Sequence, residues 1–273
     1  MKKGTCKLCF HHCQLSEGQV GFCHTRMMED GQIKSLIYGK VSALALDAIE
    51  KKPLKHFYPG SKILSVGSFG CSMRCPFCQN YEISMKQDNY YRMMSPEELV
   101  TMALQLKAKG NIGLAFTYNE PCLSYEYMMD CFQLAKEVGL KTVIVTNGMI
   151  DEVYLKQLLP YVDAMNIDIK CFTKEGYQRL QGSFEQVKKT VETSFPHVHV
   201  ELTSLIVPGL NDDLAQIEEE CRWIASLDPT IPLHITRYFP AYQQQDASTD
   251  LQLLEDIVNL SKQYLHFVYK GNC

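Results

Sequence analysis

From residue 62 onward, short apolar runs rich in β-branched residues alternate with amphipathic stretches. The first pattern belongs to strands and the second to helices that bury one face. Strands are expected at Lys62–Ser68, Gly113–Thr117, Thr142–Thr146, Ala164–Ile169, His197–Val207 and Pro232–Tyr238. Helices are expected at about Ser95–Lys109, Ser124–Val138, Asp151–Leu159, Lys174–Ser194, Asp212–Ser226 and Ser248–Gln263. Ser95-Pro96-Glu97-Glu98 marks one start well: a cap, a proline in the first turn, then acids near the positive helix end. Six strand-then-helix units predict an α/β fold with a parallel sheet and helices outside. Six strands are too few for an eight-stranded barrel, so the expected architecture is a partial (β/α)6 TIM-like barrel. Loops after each strand then build the site at the strands' C-terminal ends.

Residues 1–61 break the pattern. They read as an N-terminal cysteine-rich extension packed on a barrel spanning 62–273. Ile33–Tyr38 is expected to pair with Val41–Leu46, and the basic run Lys51–Lys55 reads as a solvated turn.

The chemistry concentrates after the first barrel strand. Cys71, Cys75 and Cys78 stand at C-x3-C-x2-C spacing in Gly70–Asn80. Three thiolates on one short loop can hold three irons of a cubane and leave the fourth without a protein ligand. A structural zinc would want a fourth ligand, and none stands in this loop. The arrangement resembles the radical S-adenosylmethionine (SAM) superfamily, which implies a [4Fe–4S] cluster with SAM at the free iron.

The totals agree with such an enzyme. The chain has 273 residues, 46% of them hydrophobic, enough for a sizeable core. A net charge of −4 gives no footprint for nucleic acid. No apolar segment approaches the ~20 residues that a membrane helix needs. Met1-Lys2-Lys3 opens no signal-peptide pattern, and twelve cysteines read as metal ligands in a reducing, cytoplasmic setting.

Other strand ends carry polar groups. Thr146 and Asn147, before Gly148, offer donors and acceptors to a ligand. Alternation puts Asn166, Asp168 and Lys170 on one face of the fourth strand, where the carboxylate and ribose of a cofactor would satisfy them. An internal Asp–Lys pair filling the barrel is the other reading. His234 on the sixth strand is either a SAM or substrate contact or a satisfied core histidine.

Glu50–Leu54, Gly70–Asn80, Thr117–Pro121, Asn166–Lys170 and Arg237–Ala241 together resemble the pyruvate formate-lyase activating enzyme-related proteins. Within them, the chain is similar to the AmmeMemoRadiSam system radical SAM enzymes. The resemblance implies that Glu120, with Asn119 beside it, holds the amino group of SAM, although Tyr118-Asn119-Glu120 replaces the commoner Gly-Gly-Glu. It also implies that Thr203 and the Val207-Pro208-Gly209 loop lie around the adenosine. A one-electron donor such as flavodoxin or ferredoxin is implied too. So is a substrate that is either a small molecule or intermediate handled with accessory proteins, or the glycine of a glycyl-radical enzyme. A plain iron–sulfur electron carrier is the rival class, disfavoured because carriers hold clusters with four protein ligands.

Cys6, Cys9, Cys13 and Cys23 form C-x2-C-x3-C-x9-C. Four thiolates would close a second cluster or hold a structural zinc. Spacing leaves both open.

Overall fold

A computed structural model describes residues 3–86 and 90–272. Met1, Lys2 and Cys273 lie outside the described residues. Eight strands form one sheet: β1 (Ala43–Ala48), β2 (Lys62–Gly67), β3 (Asn111–Phe116), β4 (Lys141–Thr146), β5 (Ala164–Asp168), β6 (His199–Ile206), β7 (Leu233–Arg237) and β8 (Val268–Gly271). Each pairs with its neighbour in sequence, and β2 through β8 are all parallel. Sequential order with helical crossovers is the simplest winding that a parallel sheet can have.

The six expected strands are therefore β2 to β7, and the structure adds one at each edge. β1 runs antiparallel to β2, with Leu46 opposite Leu64. The expected pairing of 33–38 with 41–46 does not occur. Gln32–Ser35 instead folds back on Arg26–Glu29 around the Asp30-Gly31 turn, both of whose residues have positive φ.

Side chains alternate across the sheet. Leu64, Leu114, Ile144, Ile167, Leu202 and Ile235 join the outer helices in the main core. Ile63, Ala115, Val143 and Ala164 instead pack with Ile49, Leu54 and Phe57 in a second cluster. The segment after β1 thus supplies apolar plugs to the inner face. Here the reading of Lys51–Lys55 as a solvated turn fails: Leu54 is fully buried and Lys52 is 3% exposed.

The helices fall where the periodicity puts them, with one break. The Ser95 capping box forms: its hydroxyl accepts from the Glu98 amide, and the Glu98 carboxylate accepts from the Ser95 amide. The stretch 174–194 splits into Lys174–Arg179 and Phe184–Ser194. Gly182 sits at the break, where an added Cβ would meet Met73 Cε at 2.6 Å. The break lets residues 180–182 brace the cysteine loop, and the Arg74 amide donates to the Leu180 carbonyl.

Residues 3–41 form two short hairpins set against the loops after β2, β3 and β4. His11 Nε2 lies 2.8 Å from the Ser72 carbonyl, and the Asp151 amide donates to the Leu8 carbonyl. Buried Arg26 grips Glu126 through its two terminal nitrogens, Nη1 and Nη2, and Nη2 also donates to the Leu123 carbonyl. No helix of the described residues is long and apolar enough to cross a membrane.

Candidate active site

The loop leaving β2 is shaped by its neighbours before it reaches its thiols. The Asn119 side-chain amide accepts from the Ser68 amide at 2.9 Å and donates to the Phe69 carbonyl at 2.8 Å and the Gly70 carbonyl at 3.3 Å. Gly70 takes φ +82°, and its amide donates to the Ile83 carbonyl. Arg74 folds back on its own loop, donating to the carbonyls of Cys71 and Met73 at 2.9 Å each.

Cys71, Cys75 and Cys78 all line one open cleft at the C-terminal ends of the strands. Cys71 Sγ accepts from the Met73 amide at 3.3 Å and from Asn147 Nδ2 at 3.4 Å. Burial pushes the Cys71 thiol far up, helped by the charge of Glu120. Burial likewise pushes Cys75 up to about 12, against the opposing pull of Lys170. Such thiols lose their protons readily only when a metal takes them, because binding trades a proton for a cation. Soft sulfur donors, N–H groups aimed at sulfur and a nearby ammonium fit an iron–sulfur cluster. Among the described residues, no three His, Cys, Asp or Glu side chains make a ready cage for a single metal ion.

Glu120 stands across the cleft, 3% exposed. Its carboxylate accepts from Thr146 Oγ1 at 2.7 Å, the Asn147 amide at 2.9 Å and the Cys122 amide at 3.1 Å. Burial raises its pKa, and these donors hold it back. On a third wall Lys170 Nζ meets Asp168 Oδ2 at 2.6 Å, with Thr203 alongside in the lining. Burial pulls the Lys170 pKa down, but Asp168 together with Cys75 and Cys78 outweighs it and leaves the pKa raised.

Ten of the expected side chains therefore share this cleft: the three cysteines, Asn119, Glu120, Thr146, Asn147, Asp168, Lys170 and Thr203. Asn119 does so with its amide committed to the loop backbone. Asn166 and His234 are absent from the lining. Asn166 donates to the Pro53 carbonyl at 2.9 Å and accepts from Thr203 Oγ1 at 3.0 Å, with no exposure left. His234 Nε2 pairs with Glu201 Oε2 at 2.7 Å. Glu201 also accepts from His199 and from the amides of Lys55 and His56. That carboxylate consumes the histidine and ties the 53–56 segment to β6.

Sequence reasoning missed a second group in the wall. Lys52 Nζ contacts Asp47 Oδ2 at 2.9 Å and lies 4.6 Å from the Tyr118 ring centre, while Tyr118 Oη donates to the same Asp47 oxygen at 2.7 Å. Lysine side by side with lysine looks solvated in sequence. Only the recurrence of Glu50–Leu54 in the family resemblance signalled otherwise.

A curved parallel sheet with thiols, a buried carboxylate and a lysine at its strand ends defines a class: barrel enzymes whose strand-end loops do the chemistry. A family model, the Radical SAM superfamily, matches residues 65–224. The chain belongs to the radical SAM superfamily, whose cofactors are a [4Fe–4S] cluster and SAM. It is 39% identical over 99% of its length to an uncharacterized protein of Methanocaldococcus jannaschii, covering 81% of that protein. It is 29% identical over 55% of its length to the pyruvate formate-lyase-activating enzyme of Clostridium pasteurianum, spanning 64% of that enzyme. In fold it resembles Streptococcus suis SuiB, solved bound to S-adenosylmethionine, with a TM-score of 0.62 and 15% identity. That match covers 77% of this chain and 52% of SuiB.

Proposed function

We propose that this protein cleaves SAM reductively at a [4Fe–4S] cluster held by Cys71, Cys75 and Cys78, and uses the radical to take a hydrogen atom from a substrate at the cleft mouth. The observation carrying this is the convergence of three thiols, Glu120 and Lys170 on one cleft. When bound, the cluster and SAM supply one-electron cleavage of the sulfonium to methionine and a 5′-deoxyadenosyl radical.

The chain supplies position and charge. A carboxylate has about four lone-pair sites, and Glu120 uses three on protein donors. The remaining one would accept from the SAM ammonium. Lys170 has donors to spare beyond Asp168, and these would hold the SAM carboxylate. Asp168 and Thr203 take the ribose side. Asn119 acts as a positioning residue, holding the backbone from which Cys71 projects.

One substrate reading is a small molecule or partner-bound intermediate processed with accessory proteins. A second reading is a glycyl-radical enzyme activase, supported by the named activating enzymes among the relatives. The reductant is a one-electron donor of the flavodoxin or ferredoxin kind, and the setting is the cytoplasm, where free thiols persist.

The test is 5′-deoxyadenosine formation by anaerobically reconstituted protein with a strong reductant, beside Cys75→Ala. Product from the wild type alone supports the reading. Equal product from both, or none from fully iron-loaded wild type with SAM, overturns it.

A further inference from the structure

Four more cysteines stand outside the cleft. Cys6 and Cys13 close the mouth of the hairpin Lys3–Thr5/Gln14–Ser16, one step beyond the Thr5–Gln14 pair, and the Cys6 amide donates to the Cys13 carbonyl at 2.9 Å. Cys9 lies in the loop between them, bridged to Ile150. Cys23 arrives from the next turn. Cys6, Cys9 and Cys23 are buried and Cys13 is half-buried, all with free thiols.

Their surroundings are those of ligands rather than of packing. Cys13 Sγ packs against the turn that leads to Cys23, 3.6 Å from where a Cβ on Gly21 would stand. Thr25 Oγ1 stands 3.1 Å from Cys23 Sγ. A hydroxyl beside a buried sulfur is able to donate to it and stabilise a thiolate, whereas a buried packing cysteine needs no such partner.

Ligand order distinguishes the metal. Zinc sites pair two short two-ligand turns. Here three cysteines sit in one eight-residue stretch and the fourth arrives later. A three-plus-one order is that of iron–sulfur loops, where one turn wraps most of a cubane. We propose that Cys6, Cys9, Cys13 and Cys23 hold a second iron–sulfur cluster, ligated entirely by protein.

Its module is splinted to the first cysteine loop. Arg74 donates to the Phe22 carbonyl, and its guanidinium lies 4.0 Å from the Phe22 ring centre. Gly70 leaves room for the Cys23 carbonyl, which an added Cβ would meet at 2.7 Å. A continuous contact path thus runs from Cys23 through Gly70 to Cys71.

The test uses the full chain carrying Cys71→Ala, Cys75→Ala and Cys78→Ala, reconstituted anaerobically with iron and sulfide. About four irons and four sulfides per folded chain, with a cluster signal in electron paramagnetic resonance after reduction, are expected. Adding Cys6→Ala and Cys13→Ala should abolish them. One zinc without sulfide, or no metal in a folded chain, overturns the proposal. Should the triple variant not fold, wild-type content decides: about eight irons supports the second cluster and about four overturns it. Iron retained by the triple variant speaks only for the N-terminal site, while wild-type 5′-deoxyadenosine formation speaks for the radical reading.

Discussion

Glu120 accepts the hydroxyl hydrogen of Thr146 at 2.7 Å, locking the loop after β3 to the end of β4 beside Cys71. The amides of Asn147 and Cys122 donate to the same carboxylate, so a buried acid meets three donors. Glu120→Gln keeps the shape, yet turns one oxygen into a donor facing donors. Roughly 1–3 kcal/mol of stability should be lost. SAM affinity should fall about 10–100-fold, since a hydrogen bond to a charged group contributes about 1.5–3 kcal/mol. Calorimetric titration of SAM into the reconstituted variant reads this, and an unchanged affinity would remove Glu120 from the ammonium site.

Gly70 tests the splint between the two cysteine modules. It combines φ +82° with Thr25 Cγ2 at 2.3 Å and the Cys23 carbonyl at 2.7 Å from an added Cβ. Gly70→Ala should cost about 2–5 kcal/mol, from left-handed strain plus overpacking. Chemical denaturation measures it. A loss below about 0.5 kcal/mol, the size of an ordinary surface change, would show that the contact yields freely.

Acid should expose the role of Glu201. Burial pushes this carboxyl up, but hydrogen bonds from His199, His234, Lys55 and His56 overcome it and bring it down to about 2. A depressed carboxyl contributes its full stability above the unfolded value of 4.5 and loses it as pH falls toward 2. The contribution at stake is about 3 kcal/mol. Wild type should therefore lose stability steeply between pH 4.5 and 2. Glu201→Gln should be weaker at neutral pH and flatter across that window. Parallel acid limbs in the two proteins would contradict this.

The strand and helix order was legible because each barrel strand is apolar and each helix amphipathic. The thiol loop was legible because its spacing is local. What stayed hidden depends on partners remote in sequence. Asn166 and His234 lie on the expected inner face, but only the fold reveals that Pro53, Thr203 and Glu201 already use them. Lys52 looked solvated until Asp47 and Tyr118 came to meet it. β1 was mispaired because a short apolar run carries no record of which strand it will join.

The central claim is that Cys71, Cys75 and Cys78 leave one iron open for SAM. The most direct measurement is electron–nuclear double resonance on the reduced Cys6→Ala/Cys13→Ala protein with SAM labelled at its amino nitrogen and carboxylate oxygen. Hyperfine coupling of both labels to the cluster is the expected result. A fully formed cluster that shows no coupling to either label would contradict the account.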